Sequence, residues 1–157
     1  MTTGLHLLDY LDTASVAVDL TADDKRSVVE KLVDLVIERG LVADRGHLLD
    51  AILRREDIVT TGIGGGIAIP HADLPEIAEP RLMLAVFPDG VDFEALDEEP
   101  VFVVFLLLGT PRTPGLHMKI LARIARLGKD SELTAGLREA HSAGEALDLL
   151  ARVEARH

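Results

Sequence analysis

The chain has 157 residues, a formal net charge of −11 at pH 7 and no cysteine, and 48% of its residues are hydrophobic. This length suits one domain with a single core, so we expect residues 1–157 to form one unit. The acidic balance argues against nucleic-acid binding, and the lack of cysteine excludes disulfides and thiolate metal sites. Residues 101–108, the longest apolar run, are too few for a membrane helix, and the amino terminus lacks a signal-peptide pattern. We therefore expect a cytoplasmic protein without direct membrane insertion.

The first part of the chain predicts a short helix, a short strand and a longer helix. An apolar cluster within residues 1–14 is compatible with a short helix, and residues 15–18 are predicted to form a strand. Thr21 is followed by Asp24, a weak form of the capping box, so a helix is predicted to begin there. Its apolar residues recur at helical spacing, and Gly40 marks its end.

The middle of the chain predicts a second helix and two further strands. The helix starts near Asp44 and is predicted to end where residues 54–55 enter a glycine-rich loop. Residues 81–87 are predicted to form a strand that ends at a turn signal in residues 88–90. Residues 101–108 are apolar without alternation, which is typical of a central strand covered on both faces.

The last third of the chain predicts only helices. Thr113 and Pro114 are typical of an N-cap and a first helical residue, and Gly128 ends that helix. Residues 131–138 and 142–153 are predicted to form two shorter helices. Because strands alternate with helices, the fold class is α/β, and the late helices are expected to cover one sheet face.

A glycine-rich segment carries the chemistry that the sequence suggests. Residues 55–71 read REDIVTTGIGGGIAIPH, with four glycines within five positions. Glycine allows positive φ and close approach of the backbone to another group. Residues 67–69 read as a buried strand, and Pro70 ends its ladder, so His71 is expected just beyond the carboxyl end of that strand. Open α/β sheets commonly bind ligands there. A mobile loop followed by a core histidine is the plainer interpretation.

Two nucleotide-binding motifs are excluded for this segment. A P-loop ends in Gly-Lys-Ser/Thr and opens a helix, whereas Gly66 opens a strand. A dinucleotide fingerprint places glycines at the first, third and sixth positions after a strand. Gly62 and Gly64 fit, but the sixth position is Ile67 and the loop precedes the strand.

The run Thr-Gly-Ile-Gly-x-Gly-Ile-Ala-Ile-Pro-His, residues 61–71, resembles the active-site segment of enzyme IIA proteins of the bacterial phosphotransferase system (PTS). The resemblance is to the fructose/mannitol group, which includes nitrogen-regulatory IIA proteins, and it covers nearly the whole chain. It implies a mixed sheet of about five strands flanked by helices. It also implies a phosphohistidine intermediate: His71 would accept a phosphoryl group from the carrier HPr and pass it to a IIB component. No cofactor and no metal is implied.

Two histidines are candidates for the reaction. A neutral imidazole keeps one unprotonated nitrogen near physiological pH, so it can accept a phosphoryl group. By resemblance the attacking atom of His71 would be Nε2, with Nδ1–H held by an acceptor that the sequence does not identify. His117 matches the family's second active-site histidine, in a Pro-x-x-His-Leu context where Met118 replaces leucine. In the first turn of a helix it could donate a hydrogen bond to an anion. Alternatively it faces solvent.

Arg55 and the glycine loop are the other candidates. Arg55 lies sixteen residues before His71 and matches the arginine of the family's Arg-Glu pair. Its guanidinium could hold two phosphoryl oxygens, or it could be a surface side chain paired with Glu56 or Asp57. Thr61 could bond near the site, although it could equally close a turn. The backbone amides of three loop glycines could hold phosphoryl oxygens: Gly62, Gly64 and Gly66.

Other polar residues receive weaker assignments. Asp73 would repel an incoming phosphate, so we interpret it as structural or partner-facing. With His71 and His117 it could suggest a metal triad, but the helical His-Glu pattern is missing. Three basic residues recur beside the apolar stripe of the helix that carries His117 and could help to dock a partner: Lys119, Arg123 and Arg126.

The sequence leaves three functions to compare. The first is a PTS phosphocarrier for sugar uptake, with HPr and a IIB component as partners. The second is a nitrogen-type regulator, whose phosphorylation state controls binding to a target protein. The third, a metal-dependent hydrolase, would require bound metal and turnover.

Overall fold

The structure is a computed structural model that describes residues 5–157. Within them, six strands form one mixed sheet in the order β1-β5-β6-β3-β2, and β4 also pairs with β6. The strands are β1 (Val16–Ala17), β2 (Gly62–Gly64), β3 (Ile67–Ala68), β4 (His71–Asp73), β5 (Arg81–Val91) and β6 (Val101–Gly109). The long pair β5 and β6 is antiparallel, while β1, β3 and β4 join the sheet in parallel.

Five α-helices lie on the two faces of this sheet within the described part of the chain. They are α1 (Lys25–Glu38), α2 (Arg45–Ile58), α3 (Pro114–Leu127), α4 (Ser131–Arg138) and α5 (Ala143–Ala155). Two short 3₁₀ turns, Leu7–Asp9 and Thr13–Ser15, precede β1. Helices α1 and α2 pack on one face, and α3, α4 and α5 pack on the other.

Strand β6 separates two hydrophobic cores. Its alternate residues belong to different clusters: Val104, Leu106 and Leu108 pack with α1 and α2, and Val103, Phe105 and Leu107 pack with α3 to α5. These side chains are fully buried. The apolar run without alternation was therefore correctly predicted as a central strand, because both of its faces are covered.

The α/β class and the flanked mixed sheet are confirmed, although the sheet has six strands where about five were expected. The first helix does not begin at Thr21. Asp24 is its N-cap and forms a reciprocal capping box with Ser27. Helix α2 continues to Ile58, so Arg55 lies in its last turn instead of in the loop. Strand β5 continues to Val91. The turn predicted at residues 88–90 is instead a shift of pairing register within this strand, between Val86 and Val91. The expected first helix falls partly on residues 1–4, which lie outside the described residues.

Candidate active site

His71 opens a short strand that the sequence did not reveal. Pro70 separates β3 from β4, and both strands pair in parallel with the same edge of β6. The carbonyl of Pro70 accepts a hydrogen bond of 3.0 Å from the amide of Leu107, so Pro70 itself stays bonded to β6. His71 therefore lies at the carboxyl end of β3, as predicted, but its backbone belongs to a further strand and is fixed by it.

The backbone also fixes the tautomer of His71. Its Nδ1 lies 2.8 Å from the carbonyl oxygen of Ile69. Because a carbonyl oxygen only accepts, Nδ1 carries the proton and Nε2 keeps its lone pair in the neutral ring. The amide of Ile69 in turn donates to the carbonyl of Thr61 at 3.0 Å. The acceptor that the sequence could not identify is thus the carbonyl of a residue two positions earlier.

The pKa of His71 is lowered from its ordinary value of 6.5. Burial is the largest cause, since it disfavours the charged imidazolium. The hydrogen bond to Ile69 acts in the opposite direction, and the positive charges of Arg55 and His117 lower the pKa further. At neutral pH the ring is therefore neutral and nucleophilic.

His117 lies beside this ring, in the opening turn of α3. The centroids of the two imidazoles are 5.2 Å apart, and the rings meet edge to face at 71°. His117 is 8% exposed, so it does not face solvent. Its Nδ1 lies 3.1 Å from Oδ1 of Asp73 without hydrogen-bond geometry. A Cβ placed on Gly109 would overlap Nδ1 of His117, so a residue without a side chain is needed there.

Arg55 completes the group. Its Nη1 donates to the carbonyl of Val59 at 3.0 Å, and it forms no ion pair with Glu56 or Asp57. Arg55, His71 and His117 line one surface cavity of about 440 Å³. The structure therefore brings the three predicted catalytic residues together. Asp73 lies at the same cavity.

Thr61 and His71 both line a second surface cavity. Thr61 is held by a residue that sequence reasoning did not assign. Both its amide and its hydroxyl donate to the carboxylate of Glu56, the amide at 3.1 Å. Glu56 is 4% exposed, and its Oε2 lies 3.0 Å from Nζ of Lys25. The sequence alone offers Glu56 only as a surface partner of Arg55. Its place in the Arg-Glu pair was a signal, but its contact with α1 could not be read from the sequence.

The loop glycines lie elsewhere. Gly62 pairs with Ala68 in a β2–β3 hairpin, and Gly64 and Gly66 have positive φ at its turn. Their closest neighbours are Ala95 for Gly62, Asp97 for Gly64 and Phe102 for Gly66. None of the three lines either cavity beside His71. They shape the hairpin that leads to Ile69 and His71.

The three basic residues of α3 that were predicted to help dock a partner have different surroundings. Arg123 forms an ion pair of 3.1 Å with the buried Glu154 of α5 and therefore holds the helices together. Lys119 and Arg126 are exposed. In residues 5–157, no group of three histidine or acidic side chains is arranged to hold a metal ion. No helix of the described residues is long and apolar enough to cross a bilayer.

Comparison with known proteins decides the family. A family model described as "Phosphoenolpyruvate-dependent sugar phosphotransferase system, EIIA 2" matches residues 9–153. The chain belongs to this family. The family resemblance stated from residues 61–71 is confirmed, since the matched residues span nearly the whole chain.

Relatives of this EIIA chain carry two kinds of name. It is 36% identical over 82% of its length to the PTS fructose-specific EIIA component of Haloferax volcanii, of which the match covers 84%. It is 32% identical over 94% of its length to a nitrogen regulatory protein of Bradyrhizobium diazoefficiens, of which the match covers 95%. The match covers only 23% of the fructose-specific EIIABC component of Bacillus subtilis.

A solved structure shares the fold. The nitrogen regulatory protein IIA-Ntr of Neisseria meningitidis superposes with a TM-score of 0.84 at 25% identity. That superposition covers 90% of this chain and 97% of the other. General phosphotransfer chemistry therefore follows from the family, and both sugar-type and regulatory relatives are present.

Proposed function

We propose that this EIIA protein is a phosphocarrier that accepts a phosphoryl group on His71 from phosphorylated HPr and passes it to a IIB component. The observation that carries the proposal is the hydrogen bond from Nδ1 of His71 to Ile69, because it leaves Nε2 as the nucleophile. The proposal includes the cytoplasmic location expected from the sequence.

In this reaction the P–N bond of the donor breaks as a bond forms from phosphorus to Nε2 of His71. Phosphoryl transfer has a loose transition state, so the protein mainly positions the group and stabilises charge on its oxygens. Arg55 supplies a guanidinium fork for two of these oxygens, and His117, which lines the same cavity, supplies an N–H donor. In the second transfer the P–Nε2 bond of His71 breaks as phosphorus bonds to a nucleophile of the IIB component.

The surface around His71 suits a protein partner. A second cavity of about 330 Å³ lies beside the ring and is lined by Ile63, Met118 and Leu121. Met118 is 63% exposed and Ile63 is 41% exposed, and both line this one cavity. Exposed apolar side chains grouped in one patch are typical of a protein-docking surface, and a partner bound there would exclude water during transfer.

A regulatory role is the second candidate. It is favoured by the nitrogen regulatory relative, which matches this chain over 94% of its length. In that case phosphorylation of His71 would change the charge in the cavity and so change binding of a target protein. The same site serves both functions, and they differ in the protein that is bound after phosphorylation.

Incubation with phosphorylated HPr tests the common step. The purified protein should gain one acid-labile phosphoryl group by intact mass, and His71→Ala should gain none. An adduct that persists in His71→Ala would remove the assignment. Pull-downs with both phosphorylation states then separate the roles, because a sugar component should bind a IIB protein and a regulator should bind a target in only one state.

A further inference from the structure

A chain of hydrogen bonds connects a buried ion pair to the ring of His71. Lys25 Nζ lies 3.0 Å from Oε2 of Glu56, and the Glu56 carboxylate accepts from the amide and hydroxyl of Thr61. The carbonyl of Thr61 accepts from the amide of Ile69, whose own carbonyl faces Nδ1 of His71. The chain thus begins on α1 and ends at the ring of His71.

We infer that Glu56, held by Lys25, is a positioning residue that sets the tautomer of His71 through Thr61 and Ile69. The role of Glu56 in phosphoryl transfer rests on the proposed function. The effect of Glu56 on the tautomer of the unphosphorylated His71 ring does not. Glu56 does not touch the reacting atoms. It acts by fixing the backbone whose carbonyl holds Nδ1–H.

The chemistry of the network needs a carboxylate. Three donors converge on Glu56: the amide and the hydroxyl of Thr61 and the ammonium of Lys25. An ionised carboxylate only accepts and has two oxygens for these donors. A glutamine has one acceptor oxygen and an amide group that would face a donor. Thr61 ends the segment that connects α2 to β2, and its carbonyl pairs with the Ile69 amide. Its amide and hydroxyl donate to Glu56, so the carboxylate holds the side of Thr61 that no strand pairs with.

Stability alone is a poor explanation of this buried pair. A buried ion pair is weak evidence for stability, since well-packed apolar residues of similar volume often serve as well. The side chain of Glu56 is only 1% exposed and that of Lys25 15% exposed, so the pair is costly to desolvate. Positioning of Thr61 and Ile69 gives the carboxylate a function that an apolar residue could not perform.

The test compares Glu56→Gln with Asp57→Asn. Both remove one negative charge from the end of α2, but Asp57 is exposed and forms no hydrogen bond or ion pair with the network. Nitrogen-15 NMR of the histidine rings, without any phosphoryl donor, should show Nδ1–H for His71 in the wild type and in Asp57→Asn. In Glu56→Gln we expect a mixture of both tautomers. In the same variant the amide proton of Ile69 should exchange with solvent about tenfold faster than in the wild type, because Thr61 loses a hydrogen bond to a charged carboxylate.

Kinetics with phosphorylated HPr separate positioning from docking. Glu56→Gln should lower kcat about tenfold and change KM little, because the apolar docking face is untouched. If the unpaired, partly buried Lys25 unfolds the single variant, the double variant Lys25→Met/Glu56→Gln removes both charges and allows the same NMR test.

An unchanged His71 tautomer and unchanged Ile69 exchange in a folded Glu56 variant would overturn the inference. Failure of HPr to phosphorylate the wild type would instead overturn the proposed function and leave the NMR result standing.

Discussion

The imidazole rings of His71 and His117 meet edge to face with their centroids 5.2 Å apart, in a cavity that they share with Arg55. Three groups that can carry positive charge thus converge on one site in an otherwise acidic protein. Burial, with the nearby charges of Arg55 and His117, lowers the pKa of His71. A phosphoryl dianion would give each cationic or N–H group in this cavity a partner.

The first prediction concerns pH. Because burial and the charges of Arg55 and His117 lower the pKa of His71 below 6.5, its NMR titration should have a midpoint below that value. The rate of phosphoryl acceptance should rise with pH through that midpoint and then level off. As pH falls from 6.5 through the lowered pKa of the folded state, His71 binds more protons in the unfolded chain than in the folded one, so this histidine lowers stability over that window. A midpoint above the ordinary value would contradict the assignment.

The second prediction concerns His117. His117→Ala should slow transfer from phosphorylated HPr by about 100-fold, the typical cost of one donor to a transition-state oxygen. His71 should still be phosphorylated in this variant, since the nucleophile is intact. His141→Ala is the control, because His141 is an exposed histidine outside the cavity. An unchanged rate in His117→Ala would leave His117 with only a packing role.

The third prediction concerns Arg55. Arg55→Lys should lower the transfer rate at least about tenfold, because an ammonium cannot replace a bidentate guanidinium. Arg54→Lys is the matched control, since Arg54 is 80% exposed by side chain and pairs with Asp50. Single-turnover kinetics measure both. Equal rates for the two variants would show that the Arg55 fork does not hold the phosphoryl group.

The fourth prediction concerns Gly109. A Cβ there would lie 2.6 Å from Oδ1 of Asp73 and would overlap His117. Gly109→Ala should therefore displace His117, slow transfer and destabilise the fold by about 1–3 kcal/mol. Gly115→Ala should be neutral or slightly stabilising, because a Cβ at Gly115 meets nothing within 4 Å and lies in a helix. Denaturant unfolding and transfer rates check both variants, and equal stability losses would refute the packing argument.

Local patterns predicted most elements of this fold. The central strand β6 follows from an apolar run, and α3 follows from Pro114 and Gly128 at its ends. The error at Thr21 arose because several residues before α1 can cap a helix. The choice of Asp24 depends on its reciprocal bonds with Ser27. Strand β4 was missed because its three residues pair only with β6, more than thirty positions later.

The site was predictable only in part. The motif and its family resemblance selected His71, His117 and Arg55, which the structure places at one cavity. They also suggested Gly62, Gly64 and Gly66, which lie in the hairpin instead. Glycine spacing reports backbone freedom and not the direction of an amide. The Lys25–Glu56 contact joins residues 31 positions apart and needs the packed structure to be seen.

The position of the phosphoryl group on the imidazole of His71 tests the central claim most directly. Phosphorus-31 and nitrogen-15 NMR of the protein, after phosphorylation by HPr, distinguish the two ring nitrogens. The account predicts phosphorus on Nε2 of His71, because Nδ1 donates its proton to Ile69. Phosphorus on Nδ1, or on His117, would contradict it.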